Sequence, residues 1–377
     1  MIILKPIRFL FILGNFLLLF RNISFKSRGT RYIIYCIIIS DITLSIFNSI
    51  ACFYFNLYKR FSDVLHLQVT LINSIVLIIL SIYHSKKFKN MLYVLNSNND
   101  FMENDDMYLK KLERKRKMFF LVLILYVGVK IIPSLIFSRY YSSHVQPNLF
   151  FIILKINALF WDARFFYEYL LMCALLYTFS EQLECIIRSV VRQKRFIARN
   201  FDISDTSLHQ LVQNQYLKKL SEWSEAFSYV EEAIKLFNGI FGIQFSIMIS
   251  STIFYVTSFL YEMTDLIVNR HIDIVIVINY LSRIIIFHIQ IFILSRTGQI
   301  LCNNVEHLKR CVAKIFILSL ADDKFYKATE DFLDHISSGE TRIQAFGSID
   351  IKMSLAPTFI MLYTSYTILA LQFNNIV

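Results

Sequence analysis

The sequence predicts an all-α membrane protein with seven transmembrane helices, a cytoplasmic N-terminus, an extracellular C-terminus and long cytosolic helical extensions. Three observations carry this. Of the 377 residues 56% are hydrophobic and only 18% charged, against roughly 45–50% and about 25% in ordinary soluble domains, and mean hydropathy is +0.51. The apolar residues gather in seven runs long enough to cross a hydrocarbon core of about 30 Å. Counting sides alternately along the chain, 31 of the 39 Lys and Arg fall on the N-terminal side and 4 on the other, the rest lying within spans. By the positive-inside rule the N-terminus is then cytoplasmic. The formal charge of +11 anchors membrane edges and is not a nucleic-acid footprint.

The elements follow in order. Residues 1–31 form a cytoplasmic N-terminus in which Phe9 to Phe20, a largely apolar run of 12 after Lys5 and Arg8, is too short to span comfortably and reads as an interfacial or re-entrant helix. Residues 32–294 hold a six-helix bundle with spans at 32–55, 64–83, 118–137, 149–179, 237–261 and 272–294. The first span is interrupted only by Asp41. Residues 84–117 read as a polar loop ending in a basic run that anchors the third span. The fourth span carries Lys155, Asp162, Arg164 and Glu168 and is long enough to tilt and continue into water. Arg164 and Glu168, four apart on one face, are placed to pair. The cytosolic loop 180–235 shows helical spacing at Leu208, Leu211, Val212, Gln215, Lys219, Glu222 and Trp223. Residues 295–354 form a cytosolic anchor region, with helical patterning from Ile300 to Leu318 and from Phe325 to Ile336 and turns at Gly339 and Gly347.

The last stretch, within 355–377, is Leu355 to Phe373, 19 residues without a charge. As a helix it spans roughly 28 Å. Pro357 sits in the first turn, where its missing N–H costs nothing, and Ser354 precedes it as a cap. Thr358, Ser365 and Gln372 are seven apart and share a face with Met361, Leu362, Ile368 and Leu369. Two readings fit that face: repeated around an axis it lines a water path with apolar rings as a constriction, or its hydroxyls bond their own i−4 carbonyls on a lipid-facing helix.

The segment Ser365, Tyr366, Thr367, Ile368, Leu369, Ala370, Leu371, Gln372, Phe373 resembles the C-terminal signature of the insect gustatory receptors, Thr-Tyr, five mostly apolar residues, Gln-Phe, with Ser in place of the first Thr. Asn238-Gly239-Ile240-Phe241-Gly242 at the start of the fifth span and Arg342 to Ile351 before the seventh are similar to that family too. The resemblance implies a tastant-gated, non-selective cation channel in the plasma membrane of a sensory neuron dendrite, assembled as a homo- or heterotetramer whose seventh helices line the pore. It makes Gln372 and Phe373, with Ile368, Leu369 and Ser365, the pore and gate candidates. Sugar-sensing relatives often have Glu after the motif Tyr, and Thr367 here favours a bitter-type receptor for plant secondary compounds.

Ionisable and polar groups inside spans are functional candidates by default. Asn157, Trp161 and Asp162 on the fourth span, Lys130 on the third, Tyr255 on the fifth, and Asn279 and Arg283 on the sixth are candidates to contact ligand; bonds between helices explain each equally well. The partners expected are a small tastant, permeating cations, related receptor subunits and membrane lipid, with no nucleic acid. No enzyme signature occurs, nor a CxxC pair for a metal, and no cofactor is expected. The rival classes are a G-protein-coupled receptor, which has the reverse orientation, and a secondary transporter, which would show internal repeats.

Overall fold

The protein is described by a computed structural model over residues 8–19, 28–54, 61–98, 101–102, 149–200, 206–268, 274–318, 323–345 and 347–373, with alternate stretches between 110 and 128. It is an all-α membrane protein. Helix α1 (Arg8–Phe16) is followed by α2 (Arg28–Tyr54), α3 (Phe61–Tyr83) and α4 (Ser85–Ser97); then come α5 (Leu149–Asn200), α6 (Thr206–Val268), α7 (Ile274–Leu318), α8 (Asp323–Ser338), the two-residue strands β1 (Gln344–Ala345) and β2 (Ile349–Asp350), and α9 (Leu355–Phe373).

Four helices, α5, α6, α7 and α9, are long and apolar enough to cross a membrane among the described residues, and α3 with α4 makes a fifth if that bent pair is one span. The shorter apolar stretch of α2 runs from Tyr32 to Phe47. The third predicted span is helical at its described positions up to Gly128; the remainder, Lys130 included, lies outside the described residues.

Apolar spans and the polar helical segments expected to be cytosolic merge into single rods. No proline interrupts 180–235 or 295–318, so the hydrogen-bond ladder has no reason to stop at the membrane edge. Helices α5, α6 and α7 run 52, 63 and 45 residues. Helix α5 is the central post: Leu171, Met172, Leu175, Leu176 and Phe179 along it are fully enclosed. In its N-terminal part the buried stripe of α6 is Tyr216, Leu220, Trp223, Phe227 and Val230, one register away from the predicted one, because Lys219 and Glu222 pair with each other at 2.6 Å on a wetter face. Trp223 donates to Ser189 Oγ on α5 at 2.9 Å, and Phe325 of α8 packs on Tyr216. These helical segments satisfy much of their apolar surface within one chain.

The loop predicted at 84–117 begins instead as a packed helix. Helix α3 bends by 62° into α4, which buries Phe88, Met91, Leu92, Val94 and Leu95 against α6. Helix α1 packs by one face, with Leu10 and Phe11 in the core and Ile12 exposed, and Phe11 edge-on to Phe88.

Candidate functional site: a membrane cleft and the last helix

Polar side chains in the upper bundle form two clusters. The first is built around Arg164, 1% exposed. Its Nε donates to the Leu17 carbonyl at 2.8 Å and Nη1 to Ser74 Oγ at 2.7 Å, while Nη2 meets Asp41 Oδ2 at 2.9 Å. The sequence spacing pointed to Glu168 as its partner; the structure gives Arg164 to Asp41, the one acid of the first predicted span. A guanidinium has five donors in a planar fork, so it takes the carboxylate, a hydroxyl and a backbone carbonyl at once. One side chain thereby ties α1, α2, α3 and α5 together. Leu18, at φ 61°, turns the chain just after α1; a left-handed non-glycine residue is sparsely allowed and marks a tight local requirement.

The second cluster surrounds Tyr255. Its hydroxyl bonds Thr70 Oγ1 at 3.0 Å and accepts from Asn73 Nδ2 at 3.2 Å, and Ser251 donates to Asn73 Oδ1 at 3.1 Å. Its ring stacks on Phe287 at 5.5 Å between centroids. Beside it opens a narrow cleft with room for little more than a water molecule, lined by Thr70, Tyr126, Asp162, Phe165, Tyr255, Ile286, Phe287 and Gln290. Tyr126 donates to the Asp162 carbonyl at 3.2 Å. The walls are aromatic, with a few polar groups converging, which is the usual chemistry of a small-molecule site.

Helix α9 touches the rest of the chain along one stripe. Leu355, Phe359, Thr367 and Leu371 are buried, and Tyr363 between them bonds His288 of α7 at 2.7 Å. His288 Nδ1 faces the Ile284 carbonyl at 2.8 Å, so Nδ1 carries the proton and the Tyr363 hydroxyl donates to Nε2. The opposite face is uncovered: Met361, Ile368, Leu369 and Phe373 are 71%, 49%, 47% and 85% exposed, and Ser365 and Gln372 are exposed beside them. Ser365 and Thr358 hydroxyls bond the i−4 carbonyls of Met361 and Ser354, both at 2.9 Å.

Just before α9 the β1–β2 hairpin pairs Gln344 with Asp350 and Ala345 with Ile349. Gly347 takes φ +67° in its turn, a conformation L side chains rarely adopt. The hairpin is clamped from two sides. Asn238 of α6 donates to the Arg342 carbonyl at 2.8 Å and accepts from the Gln344 N–H at 3.2 Å, acting as an extra strand. On the other side Gly298 of α7 lies so close that a Cβ would meet the Ile351 carbonyl oxygen at 2.0 Å. Within the hairpin the Gln344 amide, with Lys352, holds the Asp350 carboxyl below its ordinary range.

No family model and no curated protein matches this chain. Solved structures do. The insect olfactory receptor OR5 from Machilis hrabei in complex with eugenol superposes with a TM-score of 0.70 at 14% identity, covering 98% of this chain and 99% of that one. A second structure of the same receptor gives 0.66 at 12% identity, covering 98% and 99%. The fold is that of an insect olfactory receptor. Across the OR5 fold the likeness is one of backbone path, since few side chains are shared.

Within this OR5-like bundle the predicted ligand contacts divide. Asp162 and Tyr255 line the cleft. Trp161 and Asn157 are buried and donate to Ser45 Oγ of α2 at 3.0 and 3.5 Å. Arg283 lies over the Phe259 ring at 5.5 Å. Asn279 is half-buried, one helical turn from Arg283 toward the start of α7. Thr70, Tyr126, Phe165, Ile286, Phe287 and Gln290 were not anticipated. A signal existed for the last three: from Arg283, steps of three, four and seven along α7 reach Ile286, Phe287 and Gln290, one helical face.

Proposed function

We propose that this chain is a subunit of a ligand-gated, non-selective cation channel of the insect gustatory receptor type, opened by bitter or plant secondary compounds. The observation that carries the reading is the pairing of an OR5-like fold along 98% of the chain with a last helix whose Ser365, Ile368, Leu369, Gln372 and Phe373 face is left uncovered by its own chain. Helix association within lipid gains little from apolarity alone. A face alternating an amide, a hydroxyl and apolar residues is therefore suited to other copies of itself around an axis, with water between them.

In this reading four subunits surround the pore, Gln372 presents an amide ring at its outer end, and Ile368, Leu369 and Phe373 form the constriction. The subunit sits in the plasma membrane with its N-terminus inside and C-terminus outside. OR5 has been seen with eugenol, a small aromatic molecule, and the cleft beside Asp162 and Tyr255 is the corresponding kind of site here. A ligand there opens the pore only by its difference in affinity for the open and closed forms. Phe287 lines the cleft and its neighbour His288 holds Tyr363 of α9, so the route from the cleft to the last helix is one residue long.

Epitope tags at the two ends and recordings of Gln372→Ala and Phe373→Ala test this. The expected result is a C-terminal tag reached by antibody on intact cells, an N-terminal tag reached only after permeabilisation, and altered permeation or basal current at normal surface expression. Unchanged currents in both variants remove the pore assignment. A C-terminus on the inside returns the chain to the receptor-coupled class.

A further inference from the structure

Basic side chains from three segments meet at one edge of the bundle. Lys111, Arg114 and Lys115 lie on the helical positions that lead into the third predicted span, Arg188 follows the fourth on α5, and Arg296 follows the sixth on α7. Part of this charge is matched. Glu184 takes Lys111 and, at 3.1 Å, Arg188; buried Glu181 accepts from the Tyr177 hydroxyl and lies 3.9 Å from Lys111. The rest is not. The half-buried Lys115 ammonium sits over the Tyr177 ring, 4.2 Å from its centroid. Neither it nor the exposed Arg114 and Arg296 has an ion-pair partner among the described residues. Burial pushes Lys115 below its ordinary pKa range; Glu181 opposes this, while Arg296, Lys111 and Arg114 add to it. Lys117 and Lys219, by contrast, spend their charge on acids in their own helix. Cations that crowd one another without a contacting acid lack an anion.

The surface one turn deeper is apolar. Met118, four residues after Arg114, is 41% exposed, and Phe292 and Ile293, a turn before Arg296, are 45% and 38% exposed. Residues three and four apart share a helix face, so each arginine stands at the rim of an apolar strip that continues into the bilayer. That is the pattern of an amphiphile: charge at the edge, hydrocarbon below. We propose that Lys115, Arg114 and Arg296 bind the phosphate of an anionic phospholipid headgroup, with Tyr177 beneath Lys115 at headgroup depth and the acyl chains along Met118, Phe292 and Ile293. A guanidinium takes phosphate oxygens bidentately and an ammonium takes them as a point charge. The inference goes beyond the channel reading and draws from it only the orientation, which sets this edge at the inner leaflet, where anionic lipids concentrate. A soluble phosphate shares the headgroup chemistry; the exposed apolar strips below the cations favour the lipid.

The test is a binding measurement on the purified full chain in detergent, independent of any current. The probes are dioctanoyl phosphatidic acid, dioctanoyl phosphatidylcholine and inorganic phosphate. Stabilisation against heat, which rises with occupancy, reports half-saturation. Phosphatidic acid should half-saturate at a concentration at least about tenfold below either of the others, and each basic residue removed from the site should weaken it about fivefold. Arg296→Gln, at an exposed position, gives that single step; Lys115→Gln with Arg296→Gln gives at least about tenfold; and Lys115→Arg, which keeps the charge, binds as wild type. Lys86→Gln with Lys87→Gln removes two exposed lysines just beyond the second span and should leave binding unchanged. Equal losses in the two double variants overturn the inference, since the attraction is then diffuse charge without a site. So do phosphatidylcholine or inorganic phosphate as effective as phosphatidic acid, unaltered binding in Lys115→Gln with Arg296→Gln, or no binding of phosphatidic acid. Epitope tags showing the reverse orientation, with phosphatidic acid still bound, would sink the channel reading and leave the headgroup site standing.

Discussion

Replacing Asp41 by Leu strands the Arg164 guanidinium. Arg164 is 1% exposed and its Asp41 partner 16% exposed, with 2.9 Å between Nη2 and Oδ2. Removing one member of a buried pair costs about 3–5 kcal/mol, because the other charge stays behind uncompensated. Against a net stability of roughly 5–15 kcal/mol, that is enough to deplete folded protein. The double change Asp41→Leu with Arg164→Met removes both charges. What remains is a carbonyl at Leu17 and a hydroxyl at Ser74 without their donor, about 1–3 kcal/mol for each buried group left unmade. Ser74 can recover part of that by bonding backbone within its own helix. Asp41→Leu alone should therefore be worse than, or comparable with, the double variant, although the latter alters twice as much. Asp41→Asn, which keeps an acceptor but not the charge, should fall between wild type and Asp41→Leu. The assay is the thermal midpoint of detergent-solubilised protein, followed by size-exclusion chromatography across the cycle. Additive losses in the double variant, or an Asp41→Leu protein as stable as wild type, would show that the ion pair is incidental.

Other perturbations follow from the contacts around α9. Tyr363→Phe keeps the ring that packs on Phe359 and His288 and removes only the 2.7 Å hydrogen bond; at about 1 kcal/mol for such a bond, basal cation current per surface copy should change about fivefold, and an unchanged current would mean that the bond is the same in open and closed forms. Gly298→Ala puts a methyl group 2.0 Å from a backbone oxygen that cannot rotate away; overpacking costs roughly 1–3 kcal/mol and more against rigid backbone, so surface expression should drop, while Gly239→Ala, with open space around its Cβ position, serves as the tolerated control. Asn238→Ala removes both bonds to the hairpin and should loosen it, read as faster amide exchange at Gln344, whereas unaltered protection there would show that β1–β2 stands without α6.

The start of α9 was legible because it is a matter of local chemistry: Ser354 ahead of it, Pro357 in its first turn, and no charged side chain from Leu355 to Phe373. The Gly347 turn was legible for the same reason. The continuation of α5 beyond the membrane could be read from its length. Helix α4 was hidden by its lysines, Lys86, Lys87 and Lys89, although Phe88, Met91, Leu92 and Leu95 keep helical spacing beneath them; average polarity masked an amphipathic period. The Arg164 node was misread because i+4 proximity is visible in a sequence, whereas Asp41 lies 123 positions earlier. The cleft draws its walls from α3, α5, α6, α7 and the helical positions near 126, and only the fold brings these together. Asp162 and Tyr255 could be proposed as polar groups within apolar runs, but which polar groups already satisfy one another, as Trp161 and Asn157 do with Ser45, is a property of packing.

Helix α6 has a mechanical consequence of its own. It runs unbroken from Thr206 to Val268, so Tyr255 at the cleft and Thr206 at the far end belong to one rod, separated by roughly 73 Å at 1.5 Å per residue. A tilt of about 1.5° pivoting at the cleft moves the distant tip by about 2 Å, an amplitude typical of helix shifts at subunit boundaries. A small rotation where α6 passes the cleft thus appears as a displacement at the Thr206 end, without any element in between having to refold.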